Sequence, residues 1–321
     1  MVMEITVWIR LLRQCRGDAG VEDCETFHRA GQSGWAAAST GEGGAKMGKM
    51  KVVLLQTKVS ERKRENLDAV EEKLQMLREE KPDLVMLPEM FNCPYQTDLF
   101  PLYAEREGGE SWQALSRMAG REGIYLAAGS IPEVDEEGRV YNTAYVFDRR
   151  GRQIAKHRKM HLFDINVTGG QYFKESDTLT AGDQVTVFDS EFGKMGICIC
   201  FDIRFPELSR LMAQEGAQII LIPGAFNMTT GPAHWELSFR ARALDNQVYV
   251  LGAAPARDAH SSYTSWGHSI VVNPWGQVLG QLDEREGCLI QELDLDEVVR
   301  IRRDLPLLRS RRLDLYRLDT L

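Results

Sequence analysis

The chain has 321 residues, 43% hydrophobic and 27% charged, with a formal net charge of -8. This is enough apolar material for a sizeable core, and the acidic balance argues against a nucleic-acid binder; the small basic cluster Arg309, Arg311 and Arg312 reads as a solvated face. The six cysteines, at 15, 24, 93, 198, 200 and 288, show neither paired zinc spacing nor a disulfide framework, so a reducing cytoplasm fits, and no run approaches the roughly eighteen apolar residues of a membrane span.

Residues 1–46 are Gly-rich, with Gly-Gln-Ser-Gly at 31–34 and Gly-Glu-Gly-Gly at 41–44, and read as a flexible extension. Within them Ile5–Leu12, interrupted by Arg10, makes a poor signal peptide. A single domain over 47–321 then opens with a strand at Val52–Gln56. Leu67, Val70, Leu74 and Leu77 recur at helical spacing, Lys81-Pro82 ends that helix, and the strand Leu84–Leu87 stops at Pro88-Glu89. A second helix carries Trp112, Leu115 and Met118 behind Ser111 as its expected cap, and leads to the strand Ile124–Ile131.

Hairpins follow: Ala144–Asp148 with Gln153–His157, then Val185–Asp189 with Lys194–Ile199. Phe205-Pro206-Glu207, ahead of Leu208, Leu211 and Met212, opens a helix. The strand Gln218–Ile222 ends at Pro223-Gly224, and Pro232 begins a helix carrying Leu237, Ala241 and Leu244. Strands at Val248–Ala253, Ser269–Val272, Gln277–Leu282 and Cys288–Leu293 complete the domain, and the Arg- and Leu-rich tail after Val298 is expected on a neighbour or the domain edge. Alternating helices and strands mixed with hairpins suggest an α/β protein with helices outside two β-layers.

Cys200 falls at a strand-to-helix turn, where a side chain projects beside a helix N-terminus and a thiolate is favoured, while Cys198 within the strand reads as a core thiol. A nucleophilic cysteine needs a base, and Glu89 at a strand's carboxyl end qualifies if burial disfavours its charged form. Lys159 in Arg-Lys-Met-His-Leu-Phe-Asp would place an ammonium beside Cys200 to stabilise thiolate and oxyanion.

These three motifs, Leu-Pro-Glu-Met-Phe, Arg-Lys-Met-His-Leu-Phe-Asp and Gly-Ile-Cys-Ile-Cys-Phe-Asp-Ile-Arg-Phe-Pro-Glu, resemble in order the Glu-Lys-Cys triad of the nitrilase, or carbon-nitrogen hydrolase, superfamily. The resemblance spans residue 50 to the C-terminal region. It implies a four-layer αββα sandwich pairing into homodimers or larger assemblies, a small-molecule amide substrate, no cofactor and no metal. It also implies a second glutamate, Glu175, positioning Lys159 and substrate, and an oxyanion held by Lys159 and the Phe201 backbone N–H. Pro-Gly-Ala-Phe-Asn-Met-Thr-Thr-Gly-Pro, Trp266-Gly267-His268 and Phe91-Asn92-Cys93-Pro94-Tyr95 resemble the ω-amidase branch, which hydrolyses the terminal amide of 2-oxoglutaramate or 2-oxosuccinamate. By that resemblance Tyr95, Phe226, Thr230 and Tyr263 line the pocket, their hydroxyls reaching the substrate's carboxylate.

Four alternatives stand beside this. An N-carbamoyl amino acid hydrolase or a true nitrilase would keep the triad. A metal hydrolase would use His157, His161, Cys198 and Cys200, provided the histidines share a helical face. A silent binding module would keep the fold without chemistry.

Overall fold

The computed structural model describes residues 48–168 and 172–320; the N-terminal extension expected over 1–46 lies outside the described residues. In chain order come β1 (Lys49–Gln56), α1 (Lys63–Met76), β2 (Leu84–Met86), α2 (Phe100–Tyr103), α3 (Glu110–Glu122), β3 (Tyr125–Val134), β4 (Val140–Phe147) and β5 (Gln153–Arg158). A small antiparallel pair, β6 (Asp164–Asn166) and β7 (Tyr172–Lys174), precedes β8 (Val187–Ser190), β9 (Gly193–Ile197), α4 (Pro206–Gln214), β10 (Ile219–Pro223) and α5 (Gly231–Asn246). Last are β11 (Tyr249–Ala253), β12 (Ile270–Val272), β13 (Val278–Gln281), β14 (Gly287–Asp294) and α6 (Asp296–Asp304).

Two six-stranded sheets form, ordered β14-β1-β2-β3-β4-β5 and β13-β12-β11-β10-β9-β8. Each is parallel at its centre, where β1, β2 and β3 run together in one and β9, β10 and β11 in the other, and antiparallel towards its edges. Alternation along the strands explains the layering, since successive side chains leave on opposite faces. In β1, Val52 and Leu54 join Met195, Ile197 and Leu221 in the core between the sheets. Val53 and Leu55 instead meet Leu67, Val70 and Leu74 of α1 and Leu115 and Met118 of α3. On the second sheet α4 supplies Leu208 and Met212, and α5 supplies Trp235, Phe239 and Ala243. The result is the expected αββα sandwich.

Local expectations change in four places. Ser111 does not cap α3 but lies inside it; Glu105 reaches in from the preceding loop, and its Oε2 accepts the Ser111 N–H at 2.7 Å. The β4 strand starts at Val140, so Asn142 and Thr143 belong to the sheet. Leu237 and Leu244 point outward on α5, 67% and 43% exposed, because the buried face runs through Trp235, Phe239 and Ala243. The tail opens with α6, whose Val298 and Ile301 are buried and whose Arg302 guanidinium donates to the Gln247 and Ala217 carbonyls.

Candidate active site

The parallel strands of both sheets end towards one region, and three loops leaving strand ends bring their charged groups together there. Cys198 continues the β9 ladder by donating its N–H to Leu221. The chain then turns sharply into a 3-10 segment, Cys200–Arg204, that runs into α4. Cys200 has φ +48, a left-handed conformation costing a non-glycine residue about 1–3 kcal/mol. The turn is held by Asp202, wholly buried, whose Oδ2 accepts the Ile199 N–H at 3.0 Å and whose Oδ1 accepts the His161 N–H at 2.8 Å. His157 Nε2 and His161 Nδ1 lie 3.1 and 2.8 Å from the same carboxylate. Burial alone would raise the Asp202 carboxyl; the two histidine donors hold it well below the usual carboxylate range.

Glu89 follows Pro88 beyond β2, and Met90 after it has φ +49, with its N–H donated to Ser130 Oγ. Opposite, Gly129 at φ +60 brings β3 against the Pro88 carbonyl so closely that no Cβ would fit. Lys159 extends β5, donating its N–H to the Asn142 carbonyl at 2.8 Å. Its Nζ lies 2.9 Å from Glu89 Oε1 and 2.9 Å from Glu175 Oε1, and all three side chains are fully buried. Glu175 Oε2 accepts the Phe163 N–H, and Oε1 accepts the Tyr95 hydroxyl at 2.7 Å.

Electrostatics sort the protons. Burial alone would lower the Lys159 ammonium, but Glu175 and Glu89 beside it hold it above its ordinary range, so it stays charged. Burial pushes the Glu175 carboxyl up against the opposing pull of Lys159. Burial, and then the neighbouring Glu89 carboxylate, drive the Cys200 thiol well above its ordinary value. Desolvation outweighs Lys159, and the S–H stays on, hydrogen-bonded to Glu89, the group expected to take its proton. Glu89 is divided accordingly: Oε1 takes Lys159 and Asn142 Nδ2, while Oε2 takes the Ala225 N–H at 2.8 Å. A nucleophile with its proton acceptor, an ammonium and a second carboxylate can carry out acyl transfer.

A cleft of about 440 Å³ opens onto this cluster, lined by Glu89, Tyr95, Ala225 and Tyr263. The hydroxyls expected to meet substrate are engaged elsewhere: Tyr95 on Glu175, Tyr263 on the Ala225 carbonyl and Thr230 on Asn227 Oδ1. Phe226 packs edge-on against Trp235, and Phe201 against Phe163 and Phe205. Two residues of the site went unread in the sequence. Asn142 touches Glu89, and its signal was an amide within a strand rich in β-branched and aromatic residues. Arg204 stacks over Phe226 at 4.5 Å and Phe201 at 5.6 Å and carries a buried Nε without a partner among the described residues. Burial lowers its guanidinium from the ordinary value, with Cys200 and Tyr263 the groups opposing that. Its signal was a cation inside the motif around the nucleophile.

His157 and His161 share no helical face, since β5 ends at Arg158 and both turn to Asp202. Among the described residues no group of three or more His, Cys, Asp or Glu could hold a metal ion. No helix among them is long and apolar enough to cross a membrane.

Comparison with known proteins places the chain in a family. The family model described as "Carbon-nitrogen hydrolase" matches residues 51–303. Omega-amidase NIT2-A of Xenopus laevis is 50% identical over 273 residues, 85% of this chain and 99% of the relative. The crystal structure of Saccharomyces cerevisiae Nit3, of branch 10 of the nitrilase superfamily, superposes with a TM-score of 0.76 at 42% identity, covering 82% of this chain and 97% of that one. A mutant amidase from Nesterenkonia sp. AN1, at 25% identity and a TM-score of 0.69 over 83% and 95% of the two chains, shows covalent addition of the acetamide moiety of fluoroacetamide at its active-site cysteine.

Proposed function

Because the chain belongs to the carbon-nitrogen hydrolase family, and is a hydrolase acting on amides, we propose that it is an ω-amidase that uses Cys200 as its nucleophile. The observation that carries this is the buried cluster itself: Cys200 on a strained turn, its thiol hydrogen-bonded to Glu89, with Lys159 bridging Glu89 and Glu175.

The reaction follows from the proton inventory. Glu89 takes the Cys200 proton as sulfur attacks the amide carbonyl. Lys159 gives two of its three N–H groups to carboxylates at 2.9 Å, and the third makes a long 3.5 Å contact to the Tyr95 hydroxyl that an oxyanion can displace. The Phe201 N–H joins it, being among the donors that a helix start leaves without an intrahelical acceptor. Glu89 returns the proton to the leaving nitrogen, ammonia departs, and a thioester remains. Water, deprotonated by Glu89, cleaves the thioester to the acid and restores the thiol. No cofactor enters the cycle.

For the substrate, an amide carrying a carboxylate at its far end suits the site. Arg204 supports this: it lies near Cys200 and Tyr263, and its buried Nε has no partner among the described residues, a donor that a carboxylate satisfies and an apolar group does not. Similarity to an omega-amidase over 85% of the chain points the same way, and the branch that the sequence motifs resemble suggests 2-oxoglutaramate and 2-oxosuccinamate. A nucleophilic thiol fits a reducing cytoplasm, and Cys93, Cys198, Cys200 and Cys288 are all free. Exposed Leu237, Leu244 and Trp275 support pairing into a homo-oligomer.

Ammonia release from 2-oxoglutaramate, 2-oxosuccinamate, an N-carbamoyl amino acid and a simple nitrile, each beside Cys200→Ala, tests the reading. Preference for the oxo-amides, lost in the variant, is expected. Preference for the carbamoyl compound or the nitrile would overturn the branch, and full activity of Cys200→Ala would overturn the nucleophile.

A further inference from the structure

We propose, resting on the reading of Glu89 as the base, that Asn142 is a positioning residue that fixes which oxygen of Glu89 meets the Cys200 thiol. Asn142 has no exposed surface, in a strand of which every residue is buried. Its main chain and side chain engage different members of the cluster. The backbone carbonyl accepts the Lys159 N–H at 2.8 Å, and Nδ2 donates to Glu89 Oε1 at 2.8 Å.

The two Glu89 oxygens are thereby made unequal. Oε1 receives Asn142 and Lys159, with the Tyr95 hydroxyl a further 3.1 Å neighbour, so its lone pairs are filled. Among the described residues Oε2 receives the Ala225 N–H at 2.8 Å, which leaves it a lone pair, and to this oxygen the proposal assigns the Cys200 proton. Lys159 cannot make this distinction alone. An ammonium is a compact charge with rotatable donors and attracts whichever oxygen comes nearest, whereas an amide N–H is directional and anchored in the sheet.

The other end of the same side chain points to function over stability. Asn142 Oδ1 is buried without a partner among the described residues, an arrangement that costs about 1–3 kcal/mol and that a leucine of similar size would avoid. Packing gives no reason for an amide there; orienting a carboxylate does.

The test compares Asn142→Leu and the isosteric Asn142→Asp with wild type and Glu89→Gln. Steady-state kinetics on 2-oxoglutaramate are read together with the rate of Cys200 alkylation by iodoacetamide and the thermal midpoint. In both Asn142 variants kcat should fall roughly 10²-fold with KM within about twofold, and alkylation should slow in parallel. The midpoint of Asn142→Leu should not drop. If either folded variant keeps kcat within about threefold of wild type, or loses midpoint without slowing alkylation, Asn142 is packing only and the proposal is overturned. Glu89→Gln separates the two readings. Should it retain turnover and alkylation, the base assignment has failed; should it be silent while the Asn142 variants stay active, only the role of Asn142 has failed.

Discussion

Lys159 Nζ stands 2.9 Å from Glu89 Oε1, and neither side chain has any exposed surface. A buried pair of this kind is costly to break, because the remaining partner is left charged and without water. Lys159→Met should therefore destabilise the fold by about 3–5 kcal/mol in chemical denaturation, in addition to abolishing turnover. Adding Glu89→Gln should recover part of that stability and none of the activity. A Lys159→Met protein with the wild-type denaturation midpoint would contradict the burial of the pair.

Asp202 fastens the two loops that carry Lys159 and Cys200, accepting N–H groups from Ile199 and His161 as well as the imidazoles of His157 and His161. Asp202→Asn turns one acceptor oxygen into a donor facing donors. A loss of about 2 kcal/mol or more is expected, with kcat down roughly 10²-fold because the Cys200 turn is no longer held against Lys159. Thermal unfolding and steady-state rates check both, and a variant with undiminished kcat would show that the turn holds itself.

If Arg204 anchors the far carboxylate, Arg204→Met should raise KM for 2-oxoglutaramate about 10- to 100-fold, the worth of a charge-assisted hydrogen bond. An uncharged amide of similar length should lose little. Equal losses on both substrates would mean that the guanidinium supports the fold and not the ligand.

Away from the site, Glu122 accepts Arg78 Nε and a second guanidinium nitrogen at 2.6 and 2.8 Å, and Arg121 Nε at 2.8 Å. The Arg78 hydrogen bond, with Arg121, draws its carboxyl down to about 2 against the effect of burial. A depressed folded-state value means that the contribution is present above the ordinary carboxylate range and is lost as pH falls towards 2. Glu122→Gln should lower stability near neutrality by about 1 kcal/mol, as suits a pair partly screened by solvent, and the difference from wild type should vanish in acid. Urea denaturation at pH 7 and pH 2.5 would measure it, and an equal difference at both pH values would rule out the ionic cause.

Much of the architecture was legible because its causes are local. The Leu67, Val70, Leu74 spacing dictates a helix face, Pro206 and Pro232 mark helix starts, and the apolar runs ending at Pro88 and Cys200 mark strand ends. Where a local signal was ambiguous, packing decided. Apolar spacing on α5 allowed a face through Leu237 and Leu244, yet the sheet beneath is met by Trp235 and Phe239. Ser111 had the chemistry of a cap, but Glu105 reached the helix start first.

The candidate site divides along the same line. That Glu89, Lys159 and Cys200 each end or follow a strand is written in short segments of chain, since a turn, a proline and an alternation period act over a few residues. Which groups meet at those strand ends is settled between distant parts of the sequence: Asn142 and Glu89 are separated by 53 positions, and Ala225 and Glu89 by 136. The protonated thiol, the two unequal oxygens of Glu89 and the carboxylate clasp of Asp202 arise only once folding excludes water and sets those donors within 3.1 Å. Hydrogen bonds and desolvation act at contact range, so they come into being with the tertiary structure and cannot be written into any one segment.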